Sequence, residues 1–296
     1  MKKKTLNLIL GLLLIILAGA EMFYSIDNTD FSERSTGETI QLAHINWDTE
    51  SASSNVLAIV LEEAGYNVNL VSVDEAVLFE SIASGESDLT TSAWLPVSHG
   101  NFYENTKDSI DNMGANLEGT RAGLVVPEYM DVDSMEDLTD EADQTVTGVE
   151  PGSGTMGVTE EAMNAYDNLN DWTLESSSTG AMLGLLENAY ANEEEIVVLG
   201  WTPHWKFITY DLKILEDPKG IYGGTEDIFT LSREGFKKDY PEAYEIADNF
   251  YWEIEDMDSV TLEMEQGVDD RTAAQNWVDD NRDKVDSWLE GVFDEE

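Results

Sequence analysis

The sequence predicts an α/β protein whose two lobes face each other across a ligand cleft. Short apolar runs that resemble strands alternate with helix-like segments from residue 39 onward, which is typical of a parallel sheet covered by helices. The chain has 296 residues, enough for two compact units of about 100–150 residues each. Residues suited to ligand binding recur directly after the predicted strands, at the edge where open α/β sheets bind their ligands.

The first lobe is expected to begin near Glu38 and to alternate strand and helix. Ser53 or Ser54 is expected to cap its first helix, and Gly65 and Gly85 to end its two helices. The predicted strands are at 39–45, 67–73 and 88–93, and the predicted helices between them are at 53–64 and 76–83.

A second lobe is expected between two crossings, a strand at 121–127 and a strand at 227–232. Within it the predicted elements are a helix at 135–142, a strand at 145–149, a helix ending at 166, a helix at 180–191 and a strand at 195–199. After the return crossing, helices are predicted at 241–249, 260–266 and 272–289. The lobes are thus expected to comprise residues 38–124 with 228–296, and residues 125–227. Two hinge crossings predict closure of the lobes around a ligand.

Acidic residues dominate the composition, with 62 Asp and Glu against 15 Lys and Arg and a formal net charge of −47. Such a surface repels nucleic acid, because binding to phosphates requires Lys and Arg, and it repels an anionic membrane surface too. The charge exceeds what solubility needs, so we expect a protein that meets high salt. The chain has no cysteine, which excludes disulfides, iron–sulfur clusters, thiolate zinc sites and a cysteine nucleophile.

The N-terminus has the pattern of an export signal. Lys2-Lys3-Lys4 precedes the apolar run Leu6–Ala18, and Ala18-Gly19-Ala20 fits a cleavage site. We therefore expect a signal peptide at residues 1–20. An uncleaved anchor extending to Ile26 is the alternative, and a flexible tether is expected at residues 27–37. Either interpretation places the protein on the extracellular or periplasmic face of the cell membrane.

Three tryptophans, Trp47, Trp94 and Trp201, each follow a predicted strand, and His204 lies three residues beyond the last of them. An indole face attracts a cation, whereas an imidazole can donate a hydrogen bond to an anion, so a pocket with both suits a zwitterion. Core packing is the alternative interpretation of any one of these motifs. Three tryptophans at equivalent strand ends favour a ligand site.

Four stretches that occur in order along the chain resemble one known family. They are Ile45-Asn46-Trp47-Asp48-Thr49-Glu50, Ser92-Ala93-Trp94-Leu95-Pro96, Val149-Glu150-Pro151-Gly152-Ser153-Gly154 and Gly200-Trp201-Thr202-Pro203-His204-Trp205. Together they make the chain resemble the glycine betaine-binding subunits of ABC importers over roughly residues 38–290. The resemblance implies a two-lobed periplasmic-binding-protein-like fold with the ligand cleft between the lobes.

The resemblance also implies the roles of six residues. The family holds a trimethylammonium group in a prism of three tryptophans, which correspond here to Trp47, Trp94 and Trp201. Its ligand carboxylate meets two consecutive backbone amides and a histidine, which correspond here to Gly154, Thr155 and His204.

Other residues of similar type are expected to be structural. Asp48-Thr49-Glu50 has the composition of a helix entry. Gly152-Ser153-Gly154 lacks the Lys-Ser/Thr of a phosphate loop, so neither a nucleotide nor another cofactor is expected. The residues expected to pack in the interior rather than contact ligand are Trp172, Trp205, Trp252, Trp277, Trp288, His44 and His99.

The leading hypothesis is a binding protein that captures glycine betaine or a related betaine and delivers it to the membrane and ATPase subunits of an ABC importer. A membrane-attached sensor for a quaternary ammonium solute would use the same pocket. An enzyme is the third class, but the sequence contains no nucleophile elbow and no His pair with metal spacing. Contact with the membrane is expected only through the N-terminal segment or through docking on the importer.

Overall fold

A computed structural model describes residues 35–293 as a mixed α/β structure. The predicted signal peptide or anchor, and most of the predicted tether, lie outside the described residues. Within residues 35–293, no helix is both long and apolar enough to cross a bilayer. The strands are β1 (Thr39–His44), β2 (Asn67–Ser72), β3 (Leu89–Leu95), β4 (Ile110–Pro127), β5 (Thr145–Thr147), β6 (Thr173–Glu175), β7 (Val197–Thr202), β8 (Leu212–Ile214) and β9 (Glu226–Arg233).

Helices cover both the early and the late parts of the chain. Short 3₁₀ turns occur at Lys107–Ser109, Glu141–Gln144 and Asp167–Leu169. The α-helices are α1 (Asp48–Glu63), α2 (Glu75–Ser84), α3 (Gly100–Thr106), α4 (Gly154–Ala165), α5 (Thr179–Ala191), α6 (Lys206–Thr209), α7 (Phe236–Asp239), α8 (Pro241–Asn249), α9 (Ile254–Glu265), α10 (Asp270–Asp280) and α11 (Arg282–Leu289).

The described strands form a sheet in the order β2-β1-β3-β9-β4-β7-β5-β6, with β8 paired to β4. β4 joins the two halves of this sheet. It pairs antiparallel with β9 as far as Thr120, and from Arg121 it pairs antiparallel with β7. The first half contains the parallel strands β1, β2 and β3, and the second contains the parallel strands β5, β6 and β7. The chain returns to the first half through residues 215–225 and β9.

The predicted interior tryptophans are confirmed in the core. Trp172, Trp205, Trp252, Trp277 and Trp288 are all buried. Trp277 stacks on Trp288 with ring centroids 6.0 Å apart, and Trp252 meets Trp277 edge-on at 5.6 Å. The C-terminal helices α9 and α10 pack against α1 on the first half of the sheet. This aromatic cluster therefore anchors the helical C-terminus rather than a ligand.

The helix predicted at residues 135–142 is wrong. The side chain of Asn168 donates hydrogen bonds to the carbonyl oxygens of Met135 and Leu138, both at 2.8 Å. The carboxylate of Asp137 accepts from the backbone of Ser134 at 3.0 Å. Because side chains bind these backbone groups, the helical ladder does not form, although Met135 and Leu138 are buried as an amphipathic helix would require.

Several predicted boundaries also differ. Helix α1 begins at Asp48, five residues before Ser53, and the serine hydroxyl contacts Thr91 of β3 at 2.9 Å instead of capping the helix. Acidic residues in the first turn of α1 favour this earlier start, because they complement the helix dipole. The helix predicted at 272–289 divides at Asn281, whose side chain donates to the carbonyl of Trp277 at 2.8 Å. The short elements α3, α6, α7, β6 and β8 were not predicted.

Candidate ligand-binding site

Trp47 and Trp201 come from distant parts of the chain and are in contact. Trp47 is the N-cap residue of α1, with an extended backbone after β1, and Trp201 is the penultimate residue of β7. Their ring centroids are 5.5 Å apart and their planes are inclined by 35°. Rings at this separation touch one another. A cation between their faces would therefore require the two rings to move apart.

Trp94 lies in β3 rather than after it, one residue before the strand ends. The structure joins it to Trp47 indirectly, through His99. The backbone N–H of Trp94 donates to His99 Nδ1 at 3.2 Å, and the His99 ring lies 6.2 Å from that of Trp47. Within residues 35–293, the three predicted cage tryptophans are therefore neighbours, but only Trp47 and Trp201 are in ring contact.

The indole N–H groups of Trp47 and Trp94 donate to carboxylates, whereas Trp201 Nε1 has no hydrogen-bond partner among the described residues. Trp47 Nε1 lies 3.2 Å from Glu150 Oε2, and Trp94 Nε1 lies 2.6 Å from Glu50 Oε1. Glu150 also accepts from the backbone and the hydroxyl of Thr179, both at 2.8 Å, and so connects Trp47 to the start of α5. These bonds fix ring orientation, because an indole has a single N–H donor.

Trp205 and His204 follow β7 and lie against the first half of the sheet. Trp205 Nε1 donates to Asp48 Oδ2 at 2.8 Å. His204 is buried, its ring centroid lies 5.5 Å from that of Trp201, and its Nδ1 accepts from the Lys206 backbone at 3.2 Å. His204 Nε2 has no hydrogen-bond partner among the described residues; it lies 3.9 Å from Asp48 Oδ2. Burial lowers the pKa of His204 well below 6.5, so the imidazole is neutral and its Nε2 is available to donate.

Gly154 and Thr155 open helix α4, where Ser153 is the N-cap. The Gly154 amide donates to both carboxylate oxygens of Glu75, at 3.0 and 3.2 Å. Glu75 is itself buried, and His99 Nε2 lies 3.5 Å from its Oε1. Burial raises the pKa of Glu75 to about 8, opposed by the bond from Gly154. A carboxylate of the chain thus lies on one of the two predicted carboxylate-binding amides.

The structure does not bring all six predicted site residues into one contact set. Within residues 35–293, His204 contacts Trp201, and Gly154 contacts Glu75, but no hydrogen bond or ring contact joins His204 to Gly154 or Thr155. A cavity of about 440 Å³ opens beside Trp47. Its lining residues are Ile45, Asn46, Trp47, Ser72, Val73, Asp74, Val77 and Glu150.

Lys206 is a buried cation that sequence reasoning missed. Its Nζ lies 4.6 Å from the ring centroid of Trp201 and 3.3 Å from the Trp201 carbonyl oxygen. A Cβ on Gly200 would meet Lys206 Cε at 3.0 Å, so glycine makes room for the lysine stem. Burial lowers the pKa of Lys206 well below its ordinary value. The side chain is fully buried and packs against the ring of Trp201.

The carboxylates that hold the indoles were also missed. The sequence assigns Glu50 to a helix entry and gives no role to Glu150 or to Glu75, which holds the Gly154 amide instead of an indole. With 62 acidic residues in the chain, sequence alone offers no signal that separates these three from solvated acids.

The arrangement can hold a small zwitterion. Aromatic faces and nearby carboxylates favour a cation at one end, and unpaired donors favour an anion at the other. Among the described residues, no group of His, Cys, Asp and Glu has the geometry of a metal site.

Comparison with known proteins identifies one family. Residues 38–280 match the substrate binding domain of the ABC-type glycine betaine transport system. A glycine betaine/carnitine transport binding protein from Listeria monocytogenes is 46% identical over 161 residues, which are 54% of this chain and 54% of that protein. The match therefore spans about half the length of that relative.

Two solved structures resemble the chain over most of its length. Lactococcal OpuAC in its closed-liganded conformation with glycine betaine is 45% identical, with a TM-score of 0.84, covering 86% of this chain and 100% of that one. The glycine betaine and L-proline-binding protein ProX from Borrelia burgdorferi is 34% identical, with a TM-score of 0.83, covering 87% and 100%. The predicted two-lobed α/β fold is confirmed by these likenesses, and the chain belongs to the family of substrate-binding domains of ABC-type glycine betaine transport systems.

Proposed function

We propose that this protein captures glycine betaine, or a closely related quaternary ammonium osmolyte, outside the cytoplasm and delivers it to an ABC importer. The observation that carries the proposal is the contact of Trp47 with Trp201, beside the buried and unpaired Nε2 of His204. The family to which the chain belongs serves this kind of transport. The lactococcal relative was solved with glycine betaine bound.

The ammonium end of the ligand is assigned to Trp47, Trp94 and Trp201. A quaternary ammonium has no N–H, so it cannot donate a conventional hydrogen bond, but indole faces can share its diffuse charge. Each such contact contributes about 0.5–1 kcal/mol when exposed and about 2 kcal/mol or more when desolvated. All three indoles are buried, which supports the larger value.

The carboxylate end is assigned to Gly154, Thr155 and His204. Amides that open a helix favour an anion, because the helix dipole adds to their hydrogen bonds. The Gly154 amide is already bound by Glu75. A ligand carboxylate must therefore replace the Glu75 carboxylate at Gly154.

Lobe closure is the motion that fits this assignment. The lobes are proposed to comprise residues 38–124 with 228–296, and residues 125–227. The change of β4 partners between Thr120 and Arg121 supports a boundary close to the first limit. Trp47 and Trp94 then belong to one lobe and Trp201 to the other, so opening would separate the rings and admit the ligand.

The importer's membrane and ATPase subunits are the proposed partners, and the extracellular or periplasmic face of the membrane is the proposed location. Substrate-binding proteins of ABC importers work outside the cytoplasm or at the membrane. A sensor for a quaternary ammonium solute is the second candidate, because the same pocket would serve it. The match to a transport family favours binding over catalysis.

The test is a titration of tryptophan fluorescence with glycine betaine, proline betaine, carnitine and choline in molar salt. Glycine betaine is expected to change the emission at micromolar concentration, because Trp47 and Trp201 must rearrange around it. Choline has the ammonium but no carboxylate, so it is expected to bind more weakly. No response to any of the four up to millimolar concentration would refute the proposal.

A further inference from the structure

Glu50 is a buried carboxylate behind one wall of the proposed cage. Its side chain is 2% exposed, in the first turn of α1. Oε1 accepts from Trp94 Nε1 at 2.6 Å, and Oε2 accepts from the hydroxyl of Thr49 at 2.6 Å. Both oxygens therefore have a neutral donor, and neither forms an ion pair with a Lys, Arg or His among residues 35–293.

A carboxylate in this position is costly without a cation. Moving an ionised group out of water is unfavourable unless it is paired, and two neutral hydrogen bonds compensate for this only in part. The charged groups that face Glu50 increase the cost. Asp48 lies two residues before it on α1, and its charge opposes the ionisation of Glu50. Glu75 on α2 is a second acid nearby, and the charge of Glu50 in turn raises the pKa of Glu75.

A neutral acceptor such as glutamine could orient Trp94 without this cost. The carboxylate does something that an amide cannot: it places a negative charge at the nitrogen edge of the Trp94 indole. A hydrogen bond to an anion makes the indole a better electron donor. A quaternary ammonium on the ring face would then interact favourably with both the ring and the charge behind it.

We propose that Glu50 is a specificity-determining residue of the ligand site, which acts through Trp94 as the counter-charge for the quaternary ammonium group. This inference rests on the proposed function and identifies what the site recognises. The cage selects a positive charge and does not merely enclose a trimethyl group. A neutral ligand of the same shape gains the apolar contacts, but it gains neither the cation–π attraction to the indoles nor the attraction to Glu50.

A matched pair of ligands separates charge from shape. Glycine betaine and 3,3-dimethylbutanoate have the same outline and the same carboxylate, but a carbon atom in the second replaces the cationic nitrogen. Wild-type protein is expected to bind glycine betaine at least about 10-fold more tightly, a difference of about 1.4 kcal/mol. In Glu50→Gln this preference is expected to fall about fivefold, mainly because betaine binding weakens, while the cation–π contacts with the indoles keep the remaining preference.

The amide in Glu50→Gln can still accept from Trp94, so the ring orientation is preserved. Glu80→Gln is the matched control, because it removes an exposed acid from α2 and changes the net charge by the same amount. It is expected to retain the wild-type preference. If Glu50→Gln weakens both ligands equally, Glu50 is only structural; if it leaves betaine binding unchanged, the counter-charge is absent. Either result would overturn the proposal.

Wild-type protein offers an independent measurement that needs no variant. Burial raises the pKa of Glu50 to about 7, and a bound cation would lower it again. Glycine betaine should therefore release more protons than 3,3-dimethylbutanoate near pH 7, measured by calorimetry in buffers of different ionisation enthalpy. Any proton uptake or release at Glu75 is caused by the ligand carboxylate, which both ligands carry. Its contribution therefore cancels when the proton counts of the two ligands are subtracted. An equal proton count for the two ligands would contradict the proposal.

These outcomes are distinguishable from failure of the proposed function. If the wild-type protein binds no betaine, the cage assignment itself is wrong. If it binds glycine betaine but Glu50→Gln keeps the full wild-type preference over 3,3-dimethylbutanoate, the ligand site stands and only the role of Glu50 is lost.

Discussion

The backbone N–H of Gly154 is shared between the two carboxylate oxygens of Glu75, at 3.0 and 3.2 Å. The two residues are 79 positions apart in the chain. Glu75 begins α2 in the first half of the sheet, whereas Gly154 begins α4 in the second half. In the proposed function, this amide receives the ligand carboxylate. The Glu75 carboxylate would therefore compete with the ligand carboxylate for the Gly154 amide.

Glu75→Gln is expected to tighten glycine betaine binding several-fold above about pH 8. A glutamine accepts more weakly than a carboxylate, so the ligand displaces it more easily. Below about pH 7 the wild-type Glu75 is largely protonated, since its pKa is raised to about 8, and the two proteins should converge. Fluorescence titrations at both pH values measure this. Choline, which lacks a carboxylate, should bind both proteins alike; an equal gain for choline would show that Glu75 does not compete at Gly154.

Gly154→Ala is expected to weaken glycine betaine binding at least about 10-fold while leaving the fold intact. A Cβ at this position would overlap the carbonyl oxygen of Ser98, so the loop before α3 could no longer approach α4. Gly157→Ala is the matched control, because it lies on the same helix and its Cβ would meet no atom within 4 Å. Replacing a helical glycine by alanine also favours the helix by about 1 kcal/mol. Equal affinities for the two variants would contradict a close approach at Gly154.

Trp94→Ala is expected to weaken glycine betaine binding about 30-fold, corresponding to the loss of about 2 kcal/mol from a desolvated cation–π contact. Trp288→Ala should instead lower the free energy of unfolding by about 3–5 kcal/mol, because Trp288 stacks in the C-terminal core. Calorimetric titration and denaturant unfolding of both variants separate the two roles. The reverse assignment of effects would mean that the cage has been misplaced.

The ligand-free protein is expected to lose stability as the pH rises from about 6.5 to about 8, because below this interval the lowered pKa values of the buried His44, His99 and His204 act in the opposite direction. Burial raises the pKa of Glu50 to about 7, of Glu75 to about 8 and of Asp258 to about 6. Between the unfolded and folded pKa values, the folded state binds more protons, so the free energy of unfolding falls with increasing pH. Scanning calorimetry in molar salt measures this while the surface charge is screened. Glu50→Gln with Glu75→Gln should flatten the profile, whereas a midpoint that rises through this interval would refute the pKa shifts.

The sequence predicted the parts of the fold that depend on local pattern. Strands β1, β2 and β5 and helices α2, α5 and α8 were found within one or two residues of their limits, since apolar periodicity and glycine stops are local signals. The helix at 135–142 failed because its backbone is held by Asn168, a contact that sequence does not reveal. Trp47 and Trp201, both placed at strand ends by the sequence, are in ring contact, whereas the cage itself stays a prediction.

The acidic part of the site could not be predicted. Glu50, Glu75 and Glu150 differ from the other acids of the chain only in what they touch after folding: Trp94, Gly154 and Trp47. These contacts join residues at least 44 positions apart. The carboxylate-binding roles of Gly154, Thr155 and His204 remain predictions.

Strand β4 makes the two connections between the halves of the sheet mechanically unequal. One is strand β4, which pairs with β9 up to Thr120 and with β7 from Arg121, with a register shift and Gly119 at positive φ just before the change of partner. The other is the segment before β9, which is unpaired over Gly220, Gly223 and Gly224, all at positive φ. A paired strand resists bending in its own plane but tolerates torsion. Separation of the lobes should therefore be a rotation about the axis of β4. The glycine-rich connection would change its backbone angles to follow this rotation. Such a rotation would move the ring of Trp201 across that of Trp47, because the two residues lie on opposite halves of the sheet.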